Sequence, residues 1–214
     1  TANTTGARNT AVGNQSMLAN TTGSGNVAFG ISSLYDNASG NNNTAIGNQA
    51  LQENTATGNT AVGYKALEEN TSGTGNVALG FQAADSNTTG TSITAIGYNA
   101  LGANSTGIHN TSVGADSADG NTTASYITAL GSNALGGANT GNNNTALGAY
   151  SLDANTSGSN NVGVGVNALG ANTEGTNNIS VGINSLLNNT TGSTNTALGT
   201  SALQANTTAS SNVA

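Results

Sequence analysis

Residues 59–75 read NTAVGYKALEENTSGTG, a seventeen-residue unit that recurs along the whole chain. The unit begins with the motif Asn-Thr-Ala-(Val/Ile/Leu)-Gly. Ten of the eleven spacings between successive motif glycines are 17 residues, and one, from Gly47 to Gly63, is 16. The motif glycines are Gly13, Gly30, Gly47, Gly63, Gly80, Gly97, Gly114, Gly131, Gly148, Gly165, Gly182 and Gly199. Because a low-complexity or disordered segment does not keep such a register, the chain is a repeat protein.

The period and the residue types of the unit predict a parallel β-solenoid. Helical repeats need about 33–47 residues and leucine-rich repeats about 20–29, so seventeen residues are too few for either. Gly inside each motif and the β-branched residues beside it also disfavour a helix. Two short strands and two turns fit the unit. We expect an all-β, single-coil parallel β-solenoid (β-roll) with 17 residues per coil and about 12.5 coils, in which equivalent side chains stack into ladders.

The repeat runs through residues 1–214 without interruption, which predicts one continuous solenoid domain. The chain starts at Thr1 rather than at Met, and neither terminal unit resembles a capping repeat. We therefore expect the chain to be an excerpt of a longer fibrous protein.

Three positions after the motif glycine are strongly restricted. The third residue after it is Ala or Ser in all twelve units, which predicts a cramped site inside the coil. The fourth is Leu in nine units, and the seventh is Asn in eleven, with Ala138 as the exception. We interpret the Asn column as a structural ladder of stacked amides.

Alternate residues of the motif strand point to opposite faces. One face carries small residues such as Ala45, and the other carries larger ones such as Thr44 and Ile46. A strand that is apolar on both sides is normally covered on both sides, so we expect the larger face to pack against identical faces of other copies. The alternative is a monomeric coil in which the motif's Val/Ile/Leu and the Leu column share one interior. The predicted interface residues are Val12, Phe29, Ile46, Val62, Leu79, Ile96, Val113, Leu130, Leu147, Val164, Val181 and Leu198.

The composition excludes several function classes. The chain has 9 acidic and 2 basic residues, a formal net charge of −7, and no Cys. Arg8 and Lys65 alone cannot neutralise a phosphate backbone, so we expect no nucleic-acid partner. No apolar run approaches the roughly 20 residues that a membrane span needs, so we expect no membrane insertion by this segment. Without Cys there is neither a disulfide framework nor a thiolate metal site.

The chain also lacks a pattern that indicates catalysis. His109 is the only histidine, it lies in a predicted turn, and no carboxylate is marked to orient it as a base. The acidic residues fall mostly five or six residues after the motif glycine and predict a solvated stripe along one outer edge. We therefore expect no enzyme activity, no cofactor and no metal.

The repeats resemble those of a known family of fibrous proteins. Residues 26–30 (NVAFG), 76–80 (NVALG) and 178–182 (NISVG) are similar to the head repeats of YadA-type trimeric autotransporter adhesins. The unit at residues 59–75 is also similar to 17-residue repeats of bacterial surface fibres and phage tail fibres. The resemblance implies a left-handed parallel β-roll, with three chains around one axis and the larger motif residues at its centre.

This resemblance leads to a functional expectation. We expect a non-catalytic structural or adhesive rod segment of an extracellular fibre, an adhesin head or a tail-fibre-like filament, at a cell surface or on a virion. Its partner would be itself, as a homotrimer. A host-surface glycan or protein receptor would contact exposed turns.

The rival hypothesis is an ice-binding solenoid. An uncharged Thr column follows the Asn column and repeats at the strand spacing, as a flat ice-binding face requires. Against this reading, the column lies in a predicted turn and is broken by Ala38, Ser105 and Asn139. Its threonines are Thr21, Thr55, Thr71, Thr88, Thr122, Thr156, Thr173, Thr190 and Thr207.

Overall fold

A computed structural model describes residues 3–214, which form a parallel β-solenoid of about eleven turns without a helix. Each strand pairs in parallel with the next strand along the chain, and all twelve belong to one sheet. A bridge between Thr196 and Val213 begins a further turn. The strands are β1 (Thr10–Val12), β2 (Val27–Phe29), β3 (Thr44–Ile46), β4 (Thr60–Val62), β5 (Val77–Leu79), β6 (Thr94–Ile96), β7 (Thr111–Val113), β8 (Thr128–Leu130), β9 (Thr145–Leu147), β10 (Val162–Val164), β11 (Ile179–Val181) and β12 (Thr196–Leu198).

Each coil contains one strand, so the expectation of two strands per coil is wrong. The segment after the motif glycine still bonds to both neighbouring coils: Gln49 N donates to Ile31 O at 2.9 Å, and Leu51 N donates to Ala66 O at 3.0 Å. Gln49 and Leu51 both have left-handed backbone, with φ of 60° and 51°. Alternating left-handed residues bend the chain around the narrow interior, where an extended strand would run straight.

The interior of the coil is built from small residues and leucines. The middle residue of each strand, such as Ala61, is buried, except in the terminal strand β1. Ala66, three residues after its motif glycine, and Leu67 beside it are both 0% exposed. The predicted small-residue interior is therefore confirmed. The alternative interior shared by the motif's Val/Ile/Leu and the Leu column is wrong, because Phe29 points outward and is 57% exposed.

A buried ladder of asparagine amides runs along the rod, as predicted. In each rung after the first, Nδ2 donates to the Oδ1 of the preceding rung and to a backbone carbonyl of its own turn. Asn87 Nδ2, for example, lies 2.8 Å from Asn70 Oδ1 and 3.1 Å from Gly90 O. The departure at Ala138 does not break the ladder, because Asn139 takes the rung and donates to Asn121 Oδ1 at 3.2 Å. The rungs of this turn ladder are Asn3, Asn20, Asn37, Asn54, Asn70, Asn87, Asn104, Asn121, Asn139, Asn155, Asn172, Asn189 and Asn206.

A second ladder, which the sequence reasoning missed, is formed by the first Asn of the motif. Asn59 Oδ1 accepts from the backbone N–H of Asn76 at 2.9 Å, and Asn59 Nδ2 donates to Gly73 O at 2.8 Å. Ile93 and Ile127 replace this Asn in two coils and are buried there. This Asn recurs in the sequence in all motifs except those that begin at Ile93 and Ile127, but the sequence does not reveal that its side chain points inward.

The motif glycine is required by close backbone approach. Gly80 has a φ of 145°, and a Cβ added to it would press on the carbonyl group of Gly97 in the next coil. A side chain at this position would therefore meet strained backbone and a steric clash together.

Candidate interaction face

The outward side of the sheet is a regular surface made by the first and last residues of the twelve strands, here called the strand face. All twelve predicted interface residues are the last residues of their strands, and parallel pairing in register, such as Ile46 opposite Val62, stacks them in one row. Six of them are exposed, and the other six are half-buried. The exposed ones are Val12, Phe29, Ile46, Leu79, Leu130 and Leu198.

The first strand residues form a parallel row of Thr and β-branched apolar residues. Eight of the twelve are Thr, and the other four are Val27, Val77, Val162 and Ile179. Within residues 3–214, the hydroxyl groups of these eight threonines make no hydrogen bond to the protein. They therefore face solvent or a partner. The threonines are Thr10, Thr44, Thr60, Thr94, Thr111, Thr128, Thr145 and Thr196.

No charged residue lies on the strand face. This matters because a charge removed from water without a partner costs much free energy, so an uncharged face is suited to a dry contact. The eleven charged residues lie in other columns: Arg8, Asp36, Glu53, Lys65, Glu68, Glu69, Asp85, Asp116, Asp119, Asp153 and Glu174.

The turn Thr column, considered above for ice binding, has a structural role in the solenoid. Seven of its nine hydroxyls donate to backbone carbonyls of the next coil, as Thr88 Oγ1 does to Ser105 O at 3.0 Å. Ser105 makes the same bond to Thr122 O at 3.2 Å, and Thr140 replaces the missing Thr at Asn139. These hydroxyl protons are therefore used to hold coils together.

An aromatic ladder borders the strand face at its centre. Tyr64, Phe81 and Tyr98 each follow a motif glycine, and their rings are stacked with centroids 5.0 Å and 5.4 Å apart. All three rings are exposed. Sequence reasoning missed this ladder, although the signal was visible as three successive units with an aromatic residue directly after the motif glycine.

Seven of the nine acidic residues lie along an outer edge, and three of these seven have a raised pKa. Burial raises the pKa of Asp85, Asp119 and Asp153, and for Asp119 the charge of Asp116 raises it further. Gln82 Nε2 donates to Asp85 Oδ2 at 3.2 Å. In the part of the chain that the structure describes, no three His, Asp or Glu side chains are grouped so as to hold a metal ion.

The remaining residues singled out for chemistry are separate from one another. His109 is exposed in its turn and stacks on Tyr126, with 5.1 Å between the ring centroids. Lys65 Nζ forms an ion pair with Glu68 Oε2 at 3.0 Å, and this contact raises the pKa of Lys65. Within residues 3–214, the His109 side chain makes no hydrogen bond to the protein. The extended surface feature of this molecule is the strand face.

None of the protein-family models, curated proteins or solved structures compared with the chain matches it. Over residues 3–214, no helix is long and apolar enough to cross a membrane.

Proposed function

We propose that the chain is a non-catalytic rod segment of an extracellular fibre, an adhesin head or tail-fibre-like filament, in which three parallel copies bury their strand faces around a common axis. The observation that carries the proposal is the strand face itself, which is uncharged, rich in Val, Ile and Leu, and solvent-facing in every coil. A contiguous apolar surface of this extent marks an interaction site in a soluble protein.

The size of the strand face supports association. Twelve strands at a spacing of about 4.8 Å give a length of roughly 55 Å, and three-residue strands with their flanks give a width of about 10–15 Å. The face therefore covers on the order of 600–800 Å², close to the roughly 800 Å² that each partner contributes to a stable interface. The number of copies, three, comes from the resemblance to trimeric adhesin heads.

The solenoid supports a mechanical role through its hydrogen bonds. The turn ladder bonds each coil to the next, and the motif-Asn ladder and most turn Thr hydroxyls add further bonds between coils. Every buried side-chain N or O atom of the described residues has a partner. Because each coil contacts only its neighbours, such a rod gains length by repetition without a new core. A receptor, a host-surface glycan or protein, would then contact the exposed turns.

The test is the oligomeric mass of the chain in solution. We expect light scattering to give three chain masses at micromolar concentration, and Ile96→Glu to reduce the particle to one chain because it would place a charge at the axis. Thr106→Glu is the matched control, since Glu174 occupies the equivalent turn position in another coil and the fold accepts a carboxylate there. A stable monomer of the unmodified chain would refute the assembly.

A second candidate function, ice binding, is favoured by one observation. The eight strand-face threonines repeat coil by coil on an uncharged sheet and have no protein partner for their hydroxyls within residues 3–214, unlike the turn threonines. A thermal-hysteresis assay separates the two functions. A monomer with hysteresis that is lost in Thr94→Val and Thr111→Val would favour ice binding, whereas the rod proposal expects these replacements to leave assembly intact or to strengthen it.

A further inference from the structure

Two columns of residues border the strand face, one on each side. The post-glycine column is the residue directly after each motif glycine, and the pre-strand column is the residue two positions before each strand. The post-glycine column is Asn14, Ile31, Asn48, Tyr64, Phe81, Tyr98, Ala115, Ser132, Ala149, Val166, Ile183 and Thr200. The pre-strand column is Arg8, Gly25, Asn42, Gly58, Gly75, Ser92, His109, Tyr126, Asn143, Asn160, Asn177 and Thr194.

Side-chain size in the two columns is complementary in six of the twelve rows, which include all five rows with an aromatic ring. Wherever one column carries an aromatic ring, the other carries Gly, Ala or Ser in the same coil. The rows with a large post-glycine residue opposite Gly or Ser are Gly25 with Ile31, Gly58 with Tyr64, Gly75 with Phe81, and Ser92 with Tyr98. The rows with a ring in the pre-strand column are His109 with Ala115 and Tyr126 with Ser132. Val166 and Ile183 share their rows with Asn160 and Asn177, which are of medium size.

No contact within one copy explains this pattern. The two residues of a row are separated by a three-residue strand, which alone spans about 10 Å. The rings instead contact their own column, as Tyr64 does with Phe81 and His109 with Tyr126. A Cβ added at Gly58 or Gly75 would meet nothing within 4 Å, so these glycines leave open space.

The pre-strand column also holds a residue that its backbone disfavours. Every described member has left-handed φ, which suits Gly and Asn, yet Tyr126 adopts a φ of 59° and is 56% exposed. A bulky side chain in this region is uncommon and costs free energy. The exposed ring of Tyr126 stacks only on His109 within the described chain, so its position has no compensating burial there.

We propose that, in the assembly of parallel copies, the post-glycine column of each copy packs in register against the pre-strand column of the next copy. The inference rests on the proposed association through the strand face. In a closed ring of parallel chains with their strand faces toward the axis, these two flanks are the ones that meet, and equivalent coils lie at the same height. The rings of Tyr64 and Phe81 then lie over the open space at the neighbour's Gly58 and Gly75, and the neighbour's Tyr126 ring lies over Ser132.

This packing also fixes the axial register, which identical coils alone leave weakly specified. Sliding one copy by a single coil loses only one of twelve strand contacts, so the strand face discriminates poorly. The same slip places Tyr98 against His109 of the neighbour and sets one ring against another. Steric conflict of this kind favours the in-register arrangement over arrangements shifted by one coil.

The test exchanges large and small residues between the two columns of one row. Gly75→Tyr would set a ring against the neighbour's Phe81, and we expect association weaker by about tenfold or more. Phe81→Ser alone should weaken association less, by lost packing. The double variant Gly75→Tyr with Phe81→Ser recreates the row of Tyr126 and Ser132, so we expect association to return to near the unmodified level.

The matched control is Asn143→Tyr, which places the same side chain in the same column opposite the small Ala149. We expect it to leave association unchanged, and the melting temperature of each variant, measured where it is monomeric, separates assembly from folding. Unweakened association of Gly75→Tyr, or a double variant no tighter than Gly75→Tyr alone, would overturn flank packing while the rod proposal stands. A monomeric unmodified chain would remove both proposals.

Discussion

The side-chain amide of Asn104 donates from Nδ2 to the Oδ1 of Asn87, 2.8 Å away and one coil earlier in the rod. The same Nδ2 lies 3.2 Å from Gly107 O, and Asn104 Oδ1 accepts from Asn121 Nδ2 at 2.9 Å. Each rung between Asn3 and Asn206 is thus bonded to a rung on both sides and to its own turn. Since these amides are fully buried, no solvent can replace a missing partner.

Replacing one rung should therefore destabilise the coil around it. Asn104→Ala leaves Asn121 Nδ2 and Gly107 O each short of a partner, and we expect a loss of about 1–3 kcal/mol in the free energy of unfolding. Hydrogen exchange should accelerate mainly in the two adjoining coils. Asn188→Ala, at an exposed asparagine, is the control and should change stability little. Equal effects of the two replacements would contradict the ladder's role.

The small-residue column predicts a second effect. Ala66 is fully buried, so Ala66→Leu would overpack the coil and lower stability by about 1–3 kcal/mol. Lys65→Leu should be nearly neutral, because Lys65 lies on the outside and its ion pair with Glu68 is a surface contact. Thermal melting and hydrogen exchange between Gly63 and Gly80 measure both. The inside–outside assignment would be inverted if Lys65→Leu were the damaging change.

Two glycines at different places predict opposite results for the same replacement. Gly80→Ala combines a φ of 145° with a clash against Gly97 of the next coil, so we expect a loss of at least about 2 kcal/mol. Gly170→Ala should be neutral or slightly stabilising, because its column accepts Asp153 and Leu187 and its nearest contact is the flexible Leu187 side chain at 3.2 Å. Chemical denaturation of both variants measures the difference, and comparable losses would argue against the close backbone approach.

The half-buried aspartates predict how stability depends on pH. Burial raises the pKa of Asp119 and Asp153 in the folded chain above the ordinary unfolded value, so the folded chain binds more protons between these two values. Stability from these groups is therefore present at low pH and is lost as pH rises through that window. We expect the melting temperature to rise as the pH is lowered from neutral toward the ordinary pKa of aspartate.

Variants separate this effect from the general negative charge. Asp119→Asn and Asp153→Asn should raise stability at neutral pH and flatten the pH profile, because each removes a carboxylate whose charge is poorly solvated. Asp36→Asn, at an exposed position of the same edge, removes one negative charge without relieving burial. A pH profile that all three replacements change equally would assign the effect to net charge instead.

The amino-acid sequence alone determined the architecture of this protein. A seventeen-residue period kept over twelve motifs allows parallel stacking of coils, and a column restricted to Ala or Ser can lie only where space is limited, as Ala66 does. The amide ladder followed from the same logic, because a repeated Asn at a turn can bond to the Asn of the next coil.

Only the tertiary structure decided how each coil is divided and what lies on its surface. Left-handed backbone at Gln49 and Leu51 occupies the segment where a second strand was expected. Asn139 provides the amide that the repeat pattern assigns to position 138, which is Ala. Both outcomes depend on hydrogen bonds to neighbouring coils, which a single unit of sequence does not contain. The structure places Gly75 and Phe81 on opposite sides of the same strand, and this placement reveals the two flanking columns with complementary side-chain sizes. The order of residues in the sequence does not show the direction in which each side chain points.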